Sequence, residues 1–345
     1  MARKLHPLAL GASYAGALLG AGFLSGREIV QFFTIYGRAG LLGILFSTIG
    51  FSYLGWAILE KGSAHATSNY HALIQRTLGA GVAKMAAGFI FLLLLGVATV
   101  AVAGGAAVVK EMLGMEGFGA LGSTLFAVAL LLILGPGGLA TLNLLLLPAL
   151  LLAAVSLVDS LSSQGSPYVL ITTLPAGMGG PWFLSALLYL SYNSILAMGF
   201  LAALAERTGS TRERAAAGIS GGLALGALLL LADLALLSRY PETLSQEIPM
   251  LWLITDLWIG PVPRLAYSLL LWGGLLGTAA AATYALGKNL AHRRESPLLW
   301  SLAALLLAAL LAPIGFTRLI ATVYPIAGAL GLLLLIPLAL APHYR

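Results

Sequence analysis

No cysteine occurs among the 345 residues, so disulfides, thiolate nucleophiles and cysteine-held metals are all excluded. Charge is nearly as scarce, with Asp, Glu, Lys and Arg together making up 9% of the chain. The five histidines, His6, His65, His71, His292 and His343, fall at the ends of apolar runs or between them. His65 and His71 share one polar stretch, 61–77, which reads as a solvated loop with a short surface helix rather than a metal site, because no carboxylate stands near them at helical spacing. No HExxH, no P-loop and no pair of intramembrane aspartates is present. Without a nucleotide site, any transport must be secondary.

What is there is apolar. Hydrophobic residues make up 60% of the chain and the mean hydropathy is +0.98, which no soluble globular domain shows. The chain reads as one all-α integral membrane domain over 1–345, with the lipid bilayer as its main partner. Ten spans are expected: about 8–36, 40–59, 83–109, 118–134, 139–158, 182–205, 215–237, 265–287, 298–312 and 316–339. The net charge of +6 does not point to nucleic acid, since the basic residues sit in short loops and not on one face. They set topology instead. With ten spans, twelve Lys and Arg fall on the side of the termini and six (Arg27, Arg38, Lys110, Arg239, Arg264 and Arg318) on or near the other. The positive-inside rule then makes both termini cytoplasmic, in a bacterial inner membrane. Residues 2–4 look like the basic start of a signal peptide, but the apolar stretch that follows is too long, so it reads as an uncleaved first span.

That first span is unusual. Residues 8–36 are longer than one straight crossing needs, and Gly11, Gly16, Gly20, Gly22 and Gly26 punctuate them. Glycine is a poor helix former, and unwound backbone at membrane depth is tolerated only where it is buried in protein or lines a cavity. One reading is that Gly20-Ala21-Gly22 breaks the helix and binds a ligand. The other is a continuous helix whose glycines pack on a neighbour, since Gly16 and Gly20 also fit GxxxG. Glu28 favours the first, because a charge near the membrane interior needs a reason. Its candidate roles are a gate with Arg27 and Arg318, a static ion pair with Arg318, or a proton carrier.

Ten spans divide into five and five, about 8–158 and 182–339, and an odd number per half inverts the second half relative to the first. The first span of each half is the polar one. In the sixth span Tyr189, Ser191, Tyr192, Asn193 and Ser194 cluster more densely than a single packing bond requires. Asp233 is expected to reach an interface or to pair with Arg239. The connections 160–181 and 241–263 are either short helices capping a cavity or interfacial anchors. Gly218-Ile219-Ser220-Gly221 matches the GxSG string of intramembrane serine proteases, but no histidine lies at the same depth to serve as base, so the protein is expected not to be an enzyme.

The stretch Gly20-Ala-Gly22-Phe-Leu-Ser-Gly26-Arg-Glu28-Ile-Val-Gln31-Phe-Phe resembles the opening of the YkvI-like bacterial membrane proteins, whose first span reads much like GAGFASGxEIxQFF. Leu190-Ser191-Tyr192-Asn193 resembles that family's sixth span. The family is similar to the amino acid–polyamine–cation superfamily. The resemblance implies the LeuT fold: two inverted five-helix repeats, broken first and sixth helices, and solute at the midplane. It places the solute among Gly20, Ala21, Gly22, Phe23, Ser25, Ser191, Tyr192 and Asn193, with N–H groups near Gly22 facing a carboxylate. It places a sodium ion near Gly16, Leu19, Gly274, Gly277 and Thr278. Two departures stand out: Ala279 follows Thr278 where a second hydroxyl is expected, and Glu28 follows the break. Both leave proton coupling open. No cofactor beyond a sodium ion is expected. The function so implied is symport of a small zwitterion or cation, most simply an amino acid, driven by sodium or protons. The alternative is a sensor of the same fold that does not transport.

Overall fold

The computed structural model describes residues 6–64, 70–135, 177–205, 208–257, 261–291 and 295–341. The expected fifth span, 139–158, and the connection through residue 176 lie outside them, as does His65. Among the described residues all regular structure is helical. In chain order the helices are α1 (Pro7–Leu18), α2 (Ala21–Ser25), α3 (Arg27–Phe32), α4 (Arg38–Ala64), α5 (Tyr70–Leu78) and α6 (Ala80–Leu113). They continue with α7 (Phe118–Gly135), α8 (Trp182–Ala205), α9 (Thr211–Leu237), α10 (Pro249–Leu257), α11 (Pro261–Leu290), α12 (Pro297–Leu311) and α13 (Phe316–Leu340). Eight of these, α4, α6, α7, α8, α9, α11, α12 and α13, are long and apolar enough to cross a membrane.

The first span is interrupted twice. Helix α1 stops at Leu18, Leu19 has ψ 67°, and Gly20 is fully extended. Ala21 and Gly22 are already back in helix, so the break falls at Leu19–Gly20 and shares only Gly20 with the Gly20–Gly22 stretch that its composition suggested. The second interruption is Gly26, whose φ of +78° lies in the left-handed region that glycine enters without a steric penalty. Helix α3 restarts immediately after it.

The expected break in the sixth span does not exist. Helix α8 is continuous through Ser191–Ser194. Its sequence explains this, since neither glycine nor proline occurs from Trp182 to Met198. Two of its polar side chains also bond without disturbing the backbone ladder, while the buried Ser194 hydroxyl has no partner among the described residues. The Asn193 amide donates to the Tyr189 carbonyl at 3.1 Å, and the Ser191 hydroxyl donates to the Gly328 carbonyl of α13 at 2.7 Å.

Apolar burial does not by itself draw helices together in lipid, so close approach through small residues matters more. Gly218, Gly222 and Gly226 of α9 face α4, where an added Cβ would meet the backbone of Trp56 and Ser52 and the side chain of Thr48. Gly11 of α1 faces Ser220 and Gly221 of α9, so the serine of the GxSG string is a packing residue; its hydroxyl donates to the Ala217 carbonyl of its own helix. Gly328 and Gly331 of α13 rest on Leu188 and Ser191 of α8. These contacts gather α1, α4, α8, α9 and α13 around the interrupted span, while α11 packs on α6, α12 and α2. Large apolar residues such as Leu45, Ile49, Phe126, Leu310 and Leu333 face outward, as a lipid-facing surface requires. At one end the Arg214 guanidinium pairs with Glu60 (Nε to Oε2, 2.7 Å) and also donates to Ser63 and Thr211, tying α9 to α4. Of the connection 241–263, the described part holds a 3-10 turn at Glu242–Leu244 and helix α10, with Leu251, Leu253 and Ile254 buried.

Candidate functional site

The left-handed turn at Gly26 folds α3 back against α2. Glu28 is only 5% exposed, and its carboxyl group lies on Gly22, where an added Cβ would run into Oε1, Cδ and Cγ. Gly22 is therefore needed for close approach more than for unwinding. The Tyr192 hydroxyl of α8 donates to Glu28 Oε2 at 2.7 Å, and the Tyr324 hydroxyl of α13 also hydrogen-bonds Glu28. The two tyrosine rings stack, 4.8 Å apart and 5° from parallel. Tyr189 meets Tyr192 edge-on at 5.6 Å, and Phe32 lies 5.5 Å from Tyr189 and 5.8 Å from Tyr192. Phe23, at the centre of α2, is also buried. The result is one carboxyl group, two hydroxyls and a wall of aromatic rings at a helix interruption.

Neighbouring bonds hold the pieces in place. Ser25 donates to the Gly22 carbonyl (2.9 Å) and accepts from the Arg27 amide (3.2 Å), which fixes the Gly26 turn from within. The Tyr267 hydroxyl of α11 donates to the Leu24 carbonyl at 2.8 Å, and Ser185 of α8 donates to the Phe32 carbonyl at 2.9 Å.

Other expected partners lie elsewhere. Arg318 is exposed on α13, so the expected Glu28–Arg318 pair does not form. Tyr324, which does meet Glu28, is six residues further on, about 1.7 helical turns, and so on a different face. Arg27 turns away from Glu28: its Nη1 donates to the carbonyls of Leu244 and Gln246, both at 2.9 Å, and it clamps the 3-10 turn to α3. Asn193 is buried, with its amide on the Tyr189 carbonyl. In α11 the Thr278 hydroxyl donates to the Gly274 carbonyl at 2.9 Å, Gly277 is buried, and Gly274 faces Leu24 of α2. The Gly16 carbonyl accepts from the Leu19 amide at 3.3 Å across the break.

Asp233 also differs from expectation. It is completely buried, its Oδ1 bonds the Thr34 hydroxyl at 2.6 Å, and its Oδ2 has no partner. Arg239 pairs with Asp256 instead, at 2.7 Å. Among the described residues no group of three or more His, Asp or Glu comes together as a metal site.

No family model matches the chain. It is 29% identical over 321 residues to the uncharacterized membrane protein YkvI of Bacillus subtilis (strain 168), covering 92% of this chain and 91% of the relative. It is 25% identical over 333 residues to the uncharacterized protein YyaD of the same organism, covering 95% and 94%. Among solved structures, MhsT in complex with L-phenylalanine superposes with a TM-score of 0.69 at 14% identity, over 97% of this chain and 89% of MhsT. A manganese transporter of Eremococcus coleocola, in a histidine-to-alanine mutant, superposes with a TM-score of 0.59 at 18% identity, over 95% and 78%. The chain is similar to YkvI along most of its length, and it has the LeuT fold of these solved structures. It is a multi-pass membrane protein.

Within this fold, Tyr324 is the site residue that composition and spacing missed. Its signal was the one tyrosine of an apolar span, directly before Pro325, which sits inside α13. Glu28 was singled out, but its partners were not.

Proposed function

We propose that the protein is a secondary transporter of a small zwitterionic or cationic solute, working by alternating access with sodium or proton symport. The observation that carries this reading is the twice-interrupted first span, whose Glu28 is buried between α2, α8 and α13 and held by two tyrosine hydroxyls. A buried carboxyl group at membrane depth, beside backbone that has left the helix, is costly to keep without a use. Structures of similar fold that carry an amino acid, or are named for manganese transport, support the solute reading.

In this proposal ten crossings form two inverted fives: the interrupted span, the eight long helices and a further crossing within 139–158. The termini are cytoplasmic and the membrane is the bacterial inner one. The solute site comprises Gly20, Ala21, Gly22, Phe23 and Ser25 with Ser191, Tyr192 and Asn193, joined by Glu28 and Tyr324. Sodium, if it is the coupling ion, sits near Gly16, Leu19, Gly274, Gly277 and Thr278. Glu28 and Asp233 are the proton-binding candidates if it is not. The test is uptake into proteoliposomes under an imposed sodium gradient or an imposed proton gradient. Saturable uptake driven by one of them, and lost in Gly22→Leu, is the expected result. Uptake indifferent to both gradients and to Gly22→Leu would defeat the proposal.

A further inference from the structure

Glu28 is a buried carboxyl group held by tyrosine hydroxyls, and its surroundings limit what it can bind. The ion pairs found among the described residues are Lys110–Glu116, Arg214–Glu60, Arg239–Asp256 and Arg264–Glu111, and none includes Glu28. Its two hydroxyl partners, Tyr192 and Tyr324, carry no charge. An ionised carboxylate at such depth needs a counter-charge, and no described residue forms an ion pair with Glu28.

The neighbouring groups indicate which kind of cation suits the place. Among the described residues no group of three or more His, Asp or Glu comes together, the arrangement that would favour a divalent metal. The walls are instead the rings of Phe32, Tyr189, Tyr192 and Tyr324. Aromatic rings attract organic cations and accommodate the hydrocarbon those cations carry. The same geometry disfavours a carboxylate. An α-carboxylate arriving at Gly22 would meet the Glu28 carboxyl group already lying there.

We infer that the solute is a protonated amine, whose ammonium pairs with Glu28 while its hydrocarbon part packs against Tyr192, Tyr324 and their aromatic neighbours, and that a free α-carboxylate is not required. The inference rests on reading this interruption as the solute site. It narrows the zwitterion-or-cation class to the cation, and assigns Glu28 as the counter-ion rather than as a gate toward Arg318.

The test uses the full chain in nanodiscs and calorimetric titration at one pH and one salt concentration. The probes are two matched sets: isopentylamine, L-leucine and 4-methylpentanoate; and phenethylamine, L-phenylalanine and 3-phenylpropionate. The amine of at least one set should bind about 10-fold or more tighter than its amino acid, and the acid should not bind. Glu28→Gln, which keeps the size of the side chain, should weaken amine binding about 30-fold, equivalent to about 2 kcal/mol. Tyr192→Phe, which keeps the ring, should weaken it by a smaller factor while the protein still elutes as a folded species. Binding of the amino acid or the acid as tightly as the amine would overturn the inference. So would amine binding that survives Glu28→Gln, or the failure of every probe to bind. Transport is scored separately, by uptake of the binding probe into proteoliposomes. An amine that binds through Glu28 but is never taken up would sink the transporter reading alone. An amino acid taken up regardless of Glu28→Gln would sink the amine inference alone.

Discussion

Replacing Gly22 by alanine sets two effects of opposite sign against each other. Gly22 lies within α2, and alanine in a helix is favoured over glycine by about 1 kcal/mol. The added Cβ, however, would take the space held by Oε1, Cδ and Cγ of Glu28. All three atoms belong to a side chain that can rotate, so the clash is relieved by swinging Glu28 aside rather than by shifting backbone. Swinging it aside breaks the hydrogen bonds from Tyr192 and Tyr324. A neutral hydrogen bond contributes about 1 kcal/mol and one to a charged group about 1.5–3 kcal/mol, so losing both costs about 2–6 kcal/mol. That outweighs the helix propensity at either end of the range, and Gly22→Ala should destabilise by about 1–5 kcal/mol. In a Glu28→Ala background the obstacle is gone, and the same substitution should be neutral or stabilising by up to about 1 kcal/mol. Thermal melting of the four proteins, followed by tryptophan fluorescence, closes the double-mutant cycle. The diagnostic result is a reversal in the sign of the Gly22→Ala shift between the two backgrounds. Equal shifts in both would refute the placement of Glu28 against Gly22.

Three other perturbations address the surrounding framework. Thr34→Val removes the one partner of Asp233, leaves a fully buried carboxyl group without any, and should lower stability by about 1–3 kcal/mol in the same melting assay. Glu60→Ala leaves the Arg214 guanidinium at the α4–α9 contact with hydroxyl partners only and should cost about 3 kcal/mol, whereas replacing both residues with leucine should cost clearly less; equal losses would show that the uncompensated charge is not the source of the cost. Arg27→Ala releases the carbonyls of Leu244 and Gln246, and amide exchange across Thr243–Glu247 should quicken about 10-fold, equivalent to about 1.4 kcal/mol; unchanged exchange would mean that the turn is held by its apolar neighbours.

Much of the framework was legible because lipid imposes simple rules. Span lengths follow from hydrocarbon thickness and hydropathy, so 182–205 and 316–339 were placed within a residue of the helices α8 and α13. Where the forecast of 83–109 ran short, at α6, the helix extends through Ala80–Val82 at one end and Lys110–Leu113 at the other. The break in α8 was expected from the resemblance to the LeuT fold, and the local polarity of 189–194 does not by itself unwind a helix. Ser191 and Asn193 show why, since each satisfies its hydrogen bonding with a carbonyl of a neighbouring or its own helix, and the ladder stays intact. Polar residues forecast that something will be bonded; only glycine or proline forecasts that the backbone will yield. Asp233 was out of reach for a different reason. Arg239 is six residues away along the chain, but Thr34 is joined to it only by the tertiary fold.

The position of Glu28 shows where such reading reaches its limit. In an uninterrupted helix, residue 28 stands about 1.7 turns beyond residue 22 and on a different face, with Leu24 and Ser25 as its neighbours one turn back. On that geometry Glu28 points along the span toward whatever lies above it, which is why Arg318 seemed a natural partner. The left-handed Gly26 undoes the premise. It ends α2 after five residues, starts α3 in a new direction, and sets the Glu28 side chain back on Gly22. Two glycines thus act jointly but by different means: Gly26 through its backbone, by adopting a φ that other residues resist, and Gly22 through its missing side chain, by leaving room for the carboxyl group that Gly26 returns. Neither glycine alone would bring Glu28 to Tyr192 and Tyr324. Gly26→Ala should therefore impair amine binding although residue 26 touches no part of the carboxyl site, because its Cβ meets both a strained φ and the Met250 side chain. Amine affinity in Gly26→Ala equal to wild type would show that Glu28 reaches its partners by some other route.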